Sequence, residues 1–257
     1  MTRRPRPAAA IRSLRALVAL VLAGALLAGC TGAPEDPDAS ARPVTTEESQ
    51  LLAIARFRNF DAGSRPFTTA VRERGADLEL RGWIDHASHV GYAIVSGAFE
   101  PEALLWTGAT VGVIPASPDA DGNPPLPIPS LDDQAWLSHA LDPSSSRLDS
   151  LLAAIGALGS DRPDNPLLLQ QAGALWLRAD EIDGTPVTVF AAPPSDDPVT
   201  ADSPPIDAET SALRLWVDEE GLIMRAEVRV GDSWSTVDFS GSPGVSLTLP
   251  DSTGNEE

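Results

Sequence analysis

Lysine is absent from this chain of 257 residues; cysteine and tyrosine each occur once, and histidine three times. A single thiol excludes an intrachain disulfide and a multi-cysteine zinc site. Three histidines leave few general bases, and no G-x-S-x-G, P-loop or H-E-x-x-H motif is present, so no catalytic residue is nominated and a non-enzymatic protein is expected. All 18 basic residues are arginine, against 37 acids, for a formal charge of −19. That balance argues against a nucleic-acid partner, which would need a basic patch. It also sets the chain against anionic lipid headgroups. Arginine-only usage points to a GC-rich genome of the actinobacterial kind. The apolar run near the N-terminus is too short for a good membrane span. That run, Ala16 to Gly29, reaches about 21 Å as a helix, against a hydrocarbon core of about 30 Å.

What is present at the N-terminus explains the lone thiol. Arg3, Arg4, Arg6, Arg12 and Arg15 precede the apolar run without any acid, as in a secretory signal peptide. The run exits through Leu27-Ala28-Gly29-Cys30, which resembles the lipobox of bacterial lipoproteins. The resemblance implies cleavage before Cys30 and a thioether-linked diacylglycerol on its sulfur; no other cofactor is expected. Two acyl chains supply the double signal that stable anchoring needs. The expected location is therefore the extracytoplasmic face of the cell membrane, with the membrane as partner through that anchor. An ordinary signal peptide with a chance cysteine is the alternative. Losing residues 1–29 removes five arginines and takes the formal charge to −24. Residues 30–44 then form the acylated cysteine and a flexible tether, 45–250 a single domain, and 251–257 a disordered tail.

Within the body, Thr45 and Glu48 have capping-box spacing ahead of a helix carrying Leu51, Leu52 and Ala55. Strands follow: "FTTAVRER" and "DLELRGWID" about Gly75, then "GYAIVSG" and "EALLWTGATVGVI". A proline-rich loop fills 115–130. Two helices are predicted next, "SLDDQAWLSHAL" with Trp136, Leu137 and Leu141 inside, and "SSSRLDSLLAAIGALG" with a stripe of Leu148, Leu151, Leu152, Ile155 and Leu158. "LLLQQ" suggests a further helical turn. Asp183-Gly184 marks a hairpin, and 193–210 an acidic Pro/Ser loop. Regular alternation from Leu213 to Phe239 predicts three strands with one face buried and one wet, and "GVSLTLP" a last strand. About ten strands and three main helices give an α+β fold with helices on one face of a large antiparallel sheet.

This layout is similar to the LppX/LprG-type cell-envelope lipoproteins of mycobacteria and relatives, within the LolA-like superfamily. The similarity rests on Leu215-Trp216-Val217-Asp218, Gly221, Arg225, Phe239 and Pro250, together with the lipobox. It implies a large curved sheet, an unclosed barrel with helices on its concave face, whose cavity holds a lipid or other amphiphile. The function implied is a membrane-anchored, non-enzymatic carrier. A cell-envelope interaction or sensor protein with a packed core remains the alternative.

The candidate cavity residues are Trp136, Leu137, Leu148, Leu151, Leu152, Ile155 and Leu158. The same helical stripe would equally serve as plain core. His86 and His89 are three apart, the wrong spacing for two ligands on one strand face, and read as solvated turn residues; no metal site is expected. "DADGN", Asp119 to Asn123, resembles a calcium loop but lacks its closing glutamate. Trp176, Trp216 and Trp234 fall on strand faces shared with Arg178, Arg214 and Thr236. They would bind sugar or pack as cross-strand Trp/Arg pairs on an outer face, the second being favoured.

Overall fold

A computed structural model describes residues 41–97, 99–130, 136–193, 207–209, 211–240 and 244–249. Leu27 to Cys30, most of the tether, most of the 193–210 loop, Pro250 and the tail lie outside them.

Twelve strands form one antiparallel sheet that does not close into a barrel. They are β1 Arg42–Pro43, β2 Ser64–Glu73, β3 Ala76–Asp85, β4 Val90–Ser96, β5 Glu102–Trp106, β6 Thr110–Pro115, β7 Leu137–Ala140, β8 Leu175–Ile182, β9 Thr185–Ala191, β10 Leu213–Asp218, β11 Ile223–Val230 and β12 Ser233–Phe239. Their order is β1-β8-β9-β10-β11-β12-β2-β3-β4-β5-β6-β7. Among the described residues three helices accompany the sheet, α1 Thr46–Asp61, α2 Arg147–Ala157 and α3 Pro166–Gln171. The α+β class is as expected, with two strands more than the pattern suggested.

Local chemistry accounts for the elements. Thr45 and Glu48 form the reciprocal capping box of α1. The Glu48 carboxylate also takes two hydrogen bonds from Arg42, at 2.7 and 2.8 Å, which hold it below the usual carboxylate range. That fork ties β1 to α1, so the sheet already includes residues read as tether. The β2–β3 and β8–β9 turns place Arg74-Gly75 and Asp183-Gly184 at positive φ, the conformation that tight hairpin turns require.

Registers assign the faces, because directly paired residues share one. One row runs Phe190, Leu215, Ala226, Val237, Thr69, Leu80 and Val95 across seven strands. α1 and α2 pack on this face, against β10 and β11 and against β2 and β11. Leu151, Leu152 and Ile155 are completely buried there. Trp106 lies on Gly91, whose missing side chain makes room for the indole, and meets Phe67 edge-on at 6.1 Å.

The opposite face differs along the sheet. Over β3 to β6 it is buried too: Trp83, Tyr92, Ile94, Leu105 and Ile114 form a second core with Leu247, covered by Ala116, Ile128, Trp136 and Val245. The proline-rich loop is thus a lid on this face, and the Tyr92 hydroxyl donates to the Pro125 carbonyl at 2.9 Å. Two expectations fall here. Residues 137–140 are a strand pairing with β6, not part of a helix, because edge pairing outweighs a weak helical stripe once Trp136 joins the second core. Residues 244–249 form no strand; Val245 and Leu247 cap the second core, and the preceding strand, β12, is already paired on both sides, by β11 and β2.

Over β8 to β12 the outer face is polar around a smaller buried cluster of Val187, Val189 and Trp216. There Arg178 stacks on Trp216, and Arg214 and Arg229 flank Trp234 at 4.4 and 4.9 Å. The Trp216 indole donates to Asp180 at 2.9 Å. Cross-strand packing is therefore what Trp216 and Trp234 do. Trp176 departs from the stripe. A bulge between Trp176 and Arg178 turns it to the helix face, where Arg42 stacks on it at 4.3 Å.

Candidate functional site

A cleft of about 640 Å³ opens on the helix face between the three helices and strands β10 and β11. Leu52 of α1, Ala154 and Ala157 of α2, and Leu158 at its C-cap form one side; Leu213, Leu215 and Val228 form the floor; Leu168, Leu169 and Ala172 close the far side. The period-two pattern of β10 aims Leu213 and Leu215 inward. Polar groups sit at the rim and are already engaged. Arg56 pairs with Asp164 at 3.2 Å and donates to the Ala157 carbonyl at 2.9 Å. Asn165 caps α3 through Leu167 N–H at 3.0 Å. A cavity with apolar walls, oriented polar groups only at its edge and a volume within about 300–1,000 Å³ is what a small-molecule site needs.

The seven residues nominated from sequence scatter across the molecule. Leu158 lines this cleft. Leu152 lines a smaller one of about 190 Å³ on the other side of α2. Leu151 and Ile155 are fully buried between α2 and the sheet, and Leu148 is half-buried in the first turn of α2. Trp136 belongs to the opposite face, and Leu137 is 75% exposed on the edge strand. The residues missed are Leu52, Leu168, Leu169, Leu213, Leu215 and Val228. A signal existed in "DNPLLLQQ", since three successive leucines in a one-turn helix cannot all face a core.

His86 overturns its reading as a solvated turn residue. Its ring is 1% exposed, packed on Gly159, and neither nitrogen has a well-formed hydrogen bond. Asp85 ends β3 and accepts from the backbone amides of Ala87 and Ser88, closing a turn around His86, which lies inward under α2. His86 and His89 both border the smaller cleft. Among the described residues no three potential ligands come together as a metal site. Burial, and then the positive charge of Arg65, push the His86 pKa down to about 4. The free imidazole titrates near 6.5. Its contribution is thus fully present above pH 6.5 and is lost as pH falls toward 4, because the unfolded chain takes up the proton first. Urea unfolding at pH 7 and pH 5 should show a drop of about 2 kcal/mol from this residue. His86→Leu should remove most of that drop; an unchanged drop would exclude His86 as its source.

A serine, histidine and aspartate do meet at the start of α2, in the wrong order for chemistry. His139 lies 3.3 Å from Asp149, yet Ser145 and Ser146 donate to the same carboxylate rather than to the imidazole. Asp149 also accepts from Asp142 N–H at 3.1 Å. A nucleophile needs its hydroxyl on the base; this cluster instead caps a helix. In "DADGN", Asp119 Oδ1 is occupied by its own loop, accepting from the amides of Asp121 and Asn123.

No family model and no curated protein matches the chain. Among solved structures it is similar to LprF from Mycobacterium bovis, at 12% identity over 81% of this chain and 99% of that one, TM-score 0.41. It is similar to the Mycobacterium tuberculosis lipoprotein LppX, at 13% identity over 78% and 98%, TM-score 0.37. An outer membrane lipoprotein-sorting protein domain from Vibrio parahaemolyticus follows at 8% identity, over 76% and 92%, TM-score 0.26.

Proposed function

We propose that this chain is an extracytoplasmic lipoprotein, anchored through a diacylglycerol on Cys30, that holds the apolar part of an amphiphile in the cleft between α1, α2, α3 and β10–β11. The observation that carries this reading is the cleft itself: apolar walls, a leucine and valine floor, and a rim whose one ion pair is already satisfied. Such a site offers no charge to a polar substrate and no positioned nucleophile, but it rewards methylene groups. Burial contributes about 0.8 kcal/mol per CH₂, so ten methylenes give about 8 kcal/mol before the cost of ordering the chain. Binding without catalysis is the activity this geometry supports.

A second reading, an envelope interaction protein with a filled core, draws on the complete burial of Leu151, Leu152 and Ile155. One experiment separates the two. The protein is exported from an actinobacterial host and measured by native mass spectrometry, with organic extraction of the same sample. A reproducible adduct of lipid mass, matched in the extract beyond the covalent anchor, is expected. A single mass for the acylated protein alone, persisting after incubation with phospholipid, would favour the second reading.

A further inference from the structure

α3 buries none of its residues, and Leu167 and Leu168 are 57% and 50% exposed. Leu168 and Leu169 at the same time line the cleft. These leucines sit in a stretch without charge: from Asn165 to Leu177 there is no acid and no base, in a chain whose formal charge is −19. The rest of the surface would be repelled by anionic headgroups; this part would not.

The N-terminal path leads to the same place. Val44 N–H donates to the Ala174 carbonyl at 3.2 Å, the Gln170 amide reaches the Val44 carbonyl at 3.5 Å, and Arg42–Pro43 pairs with the first residues of β8. The chain therefore enters the fold beside the C-terminal end of α3. Cys30 lies only eleven residues before Ala41. Even fully extended, eleven residues span at most about 40 Å. An anchor on Cys30 keeps this uncharged, leucine-bearing corner near the bilayer.

From these observations we infer that α3 is the membrane-docking surface. Leu167 and Leu168 insert into the interface of the bilayer that holds the Cys30 anchor, and the cleft mouth is pressed against its lipid source. This rests on the anchored-carrier reading above. It assigns α3 a role in transfer, distinct from holding the ligand.

The test uses the full acylated chain on vesicles of phosphatidylcholine and phosphatidylglycerol. Once Cys30 is in thioether linkage, Leu167→Cys supplies the one free thiol for a fluorescent label, and Ser138→Cys on the exposed edge strand β7 serves as the reference. A label at 167 should be quenched several-fold more by doxyl-labelled lipid than one at 138, and less by iodide. Leu167→Glu, at a position that does not line the cleft, should still co-sediment with vesicles but take up fluorescent phospholipid several-fold more slowly. Equal quenching at the two positions in co-sedimenting protein overturns the docking surface and leaves the carrier reading standing. Protein that does not co-sediment sinks the anchor, and this inference with it.

Discussion

Replacing Arg65 with alanine is expected to cost about 3–5 kcal/mol of folding stability, the largest loss of any single substitution considered for this domain. Arg65 is 4% exposed, yet no carboxylate bonds to it. Its guanidinium donates to Asn59 Oδ1 at 2.7 Å and to the Ile223 carbonyl at 2.6 Å, and lies 4.7 Å over the Phe239 ring. Asn59, fully buried, passes the link on by donating to the Leu158 carbonyl at 3.0 Å. One side chain thus joins β2, α1, β11 and the end of α2. Burial pulls its pKa down to about 10, which still leaves it charged at neutral pH. Arg65→Ala removes the donors, strands two buried acceptors and opens a cavity. Thermal unfolding should shift down by on the order of 10 °C, at about 2–4 °C per kcal/mol for a domain of this size. Arg65→Met, which keeps the packing and loses only the donors, should lie between. A loss under about 1 kcal/mol for the alanine variant would mean that the network is not a structural hub.

The second large effect is on binding. Ala157 sits in the last turn of α2, exposed, and lines the cleft together with Ala154 one turn earlier. Ala157→Trp places an indole in the space an acyl chain would occupy. Retention of lipid should fall at least tenfold, which is about 1.4 kcal/mol of affinity. Stability should stay within about 0.5 kcal/mol, since no buried contact is lost. Lipid recovered per mole of purified protein, with urea unfolding alongside, reads both. Full lipid recovery with an unchanged urea midpoint would place the ligand elsewhere.

Elements governed by their own residues were readable in order. The capping box at Thr45 and Glu48, the glycine turns at Gly75 and Gly184, and the alternation from Leu213 to Phe239 each encode a local geometry, and each is present in the fold. Where local preference was weak, partners decided. "AWLSHAL" has too little periodicity to hold a helix against an open sheet edge, so β7 formed. "GVSLTLP" alternates like a strand, but β12 before it is already paired on both sides, and Val245 and Leu247 pack on the second core instead.

The candidate site was less legible than the fold, and Leu158 shows why. Its stripe on α2 must be buried whether or not a cavity exists, so periodicity could not tell a core face from a cleft wall. That difference depends on how far α2, α3 and the β10–β11 face stand apart. His86 is the same case in reverse: a polar residue after a strand reads as solvated until α2 is laid over it. By itself, then, the sequence determined the charge balance that disfavours nucleic acid, the lone thiol in its lipobox-like setting, the α+β class and most strands, because composition and short-range geometry are properties of neighbouring residues. Only the tertiary structure decided that the sheet is buried on both faces over β3 to β6, and that the leucines of α3 face outward at the cleft mouth. It also decided that Arg65 and His86 are buried, because those facts depend on contacts between residues far apart in the chain.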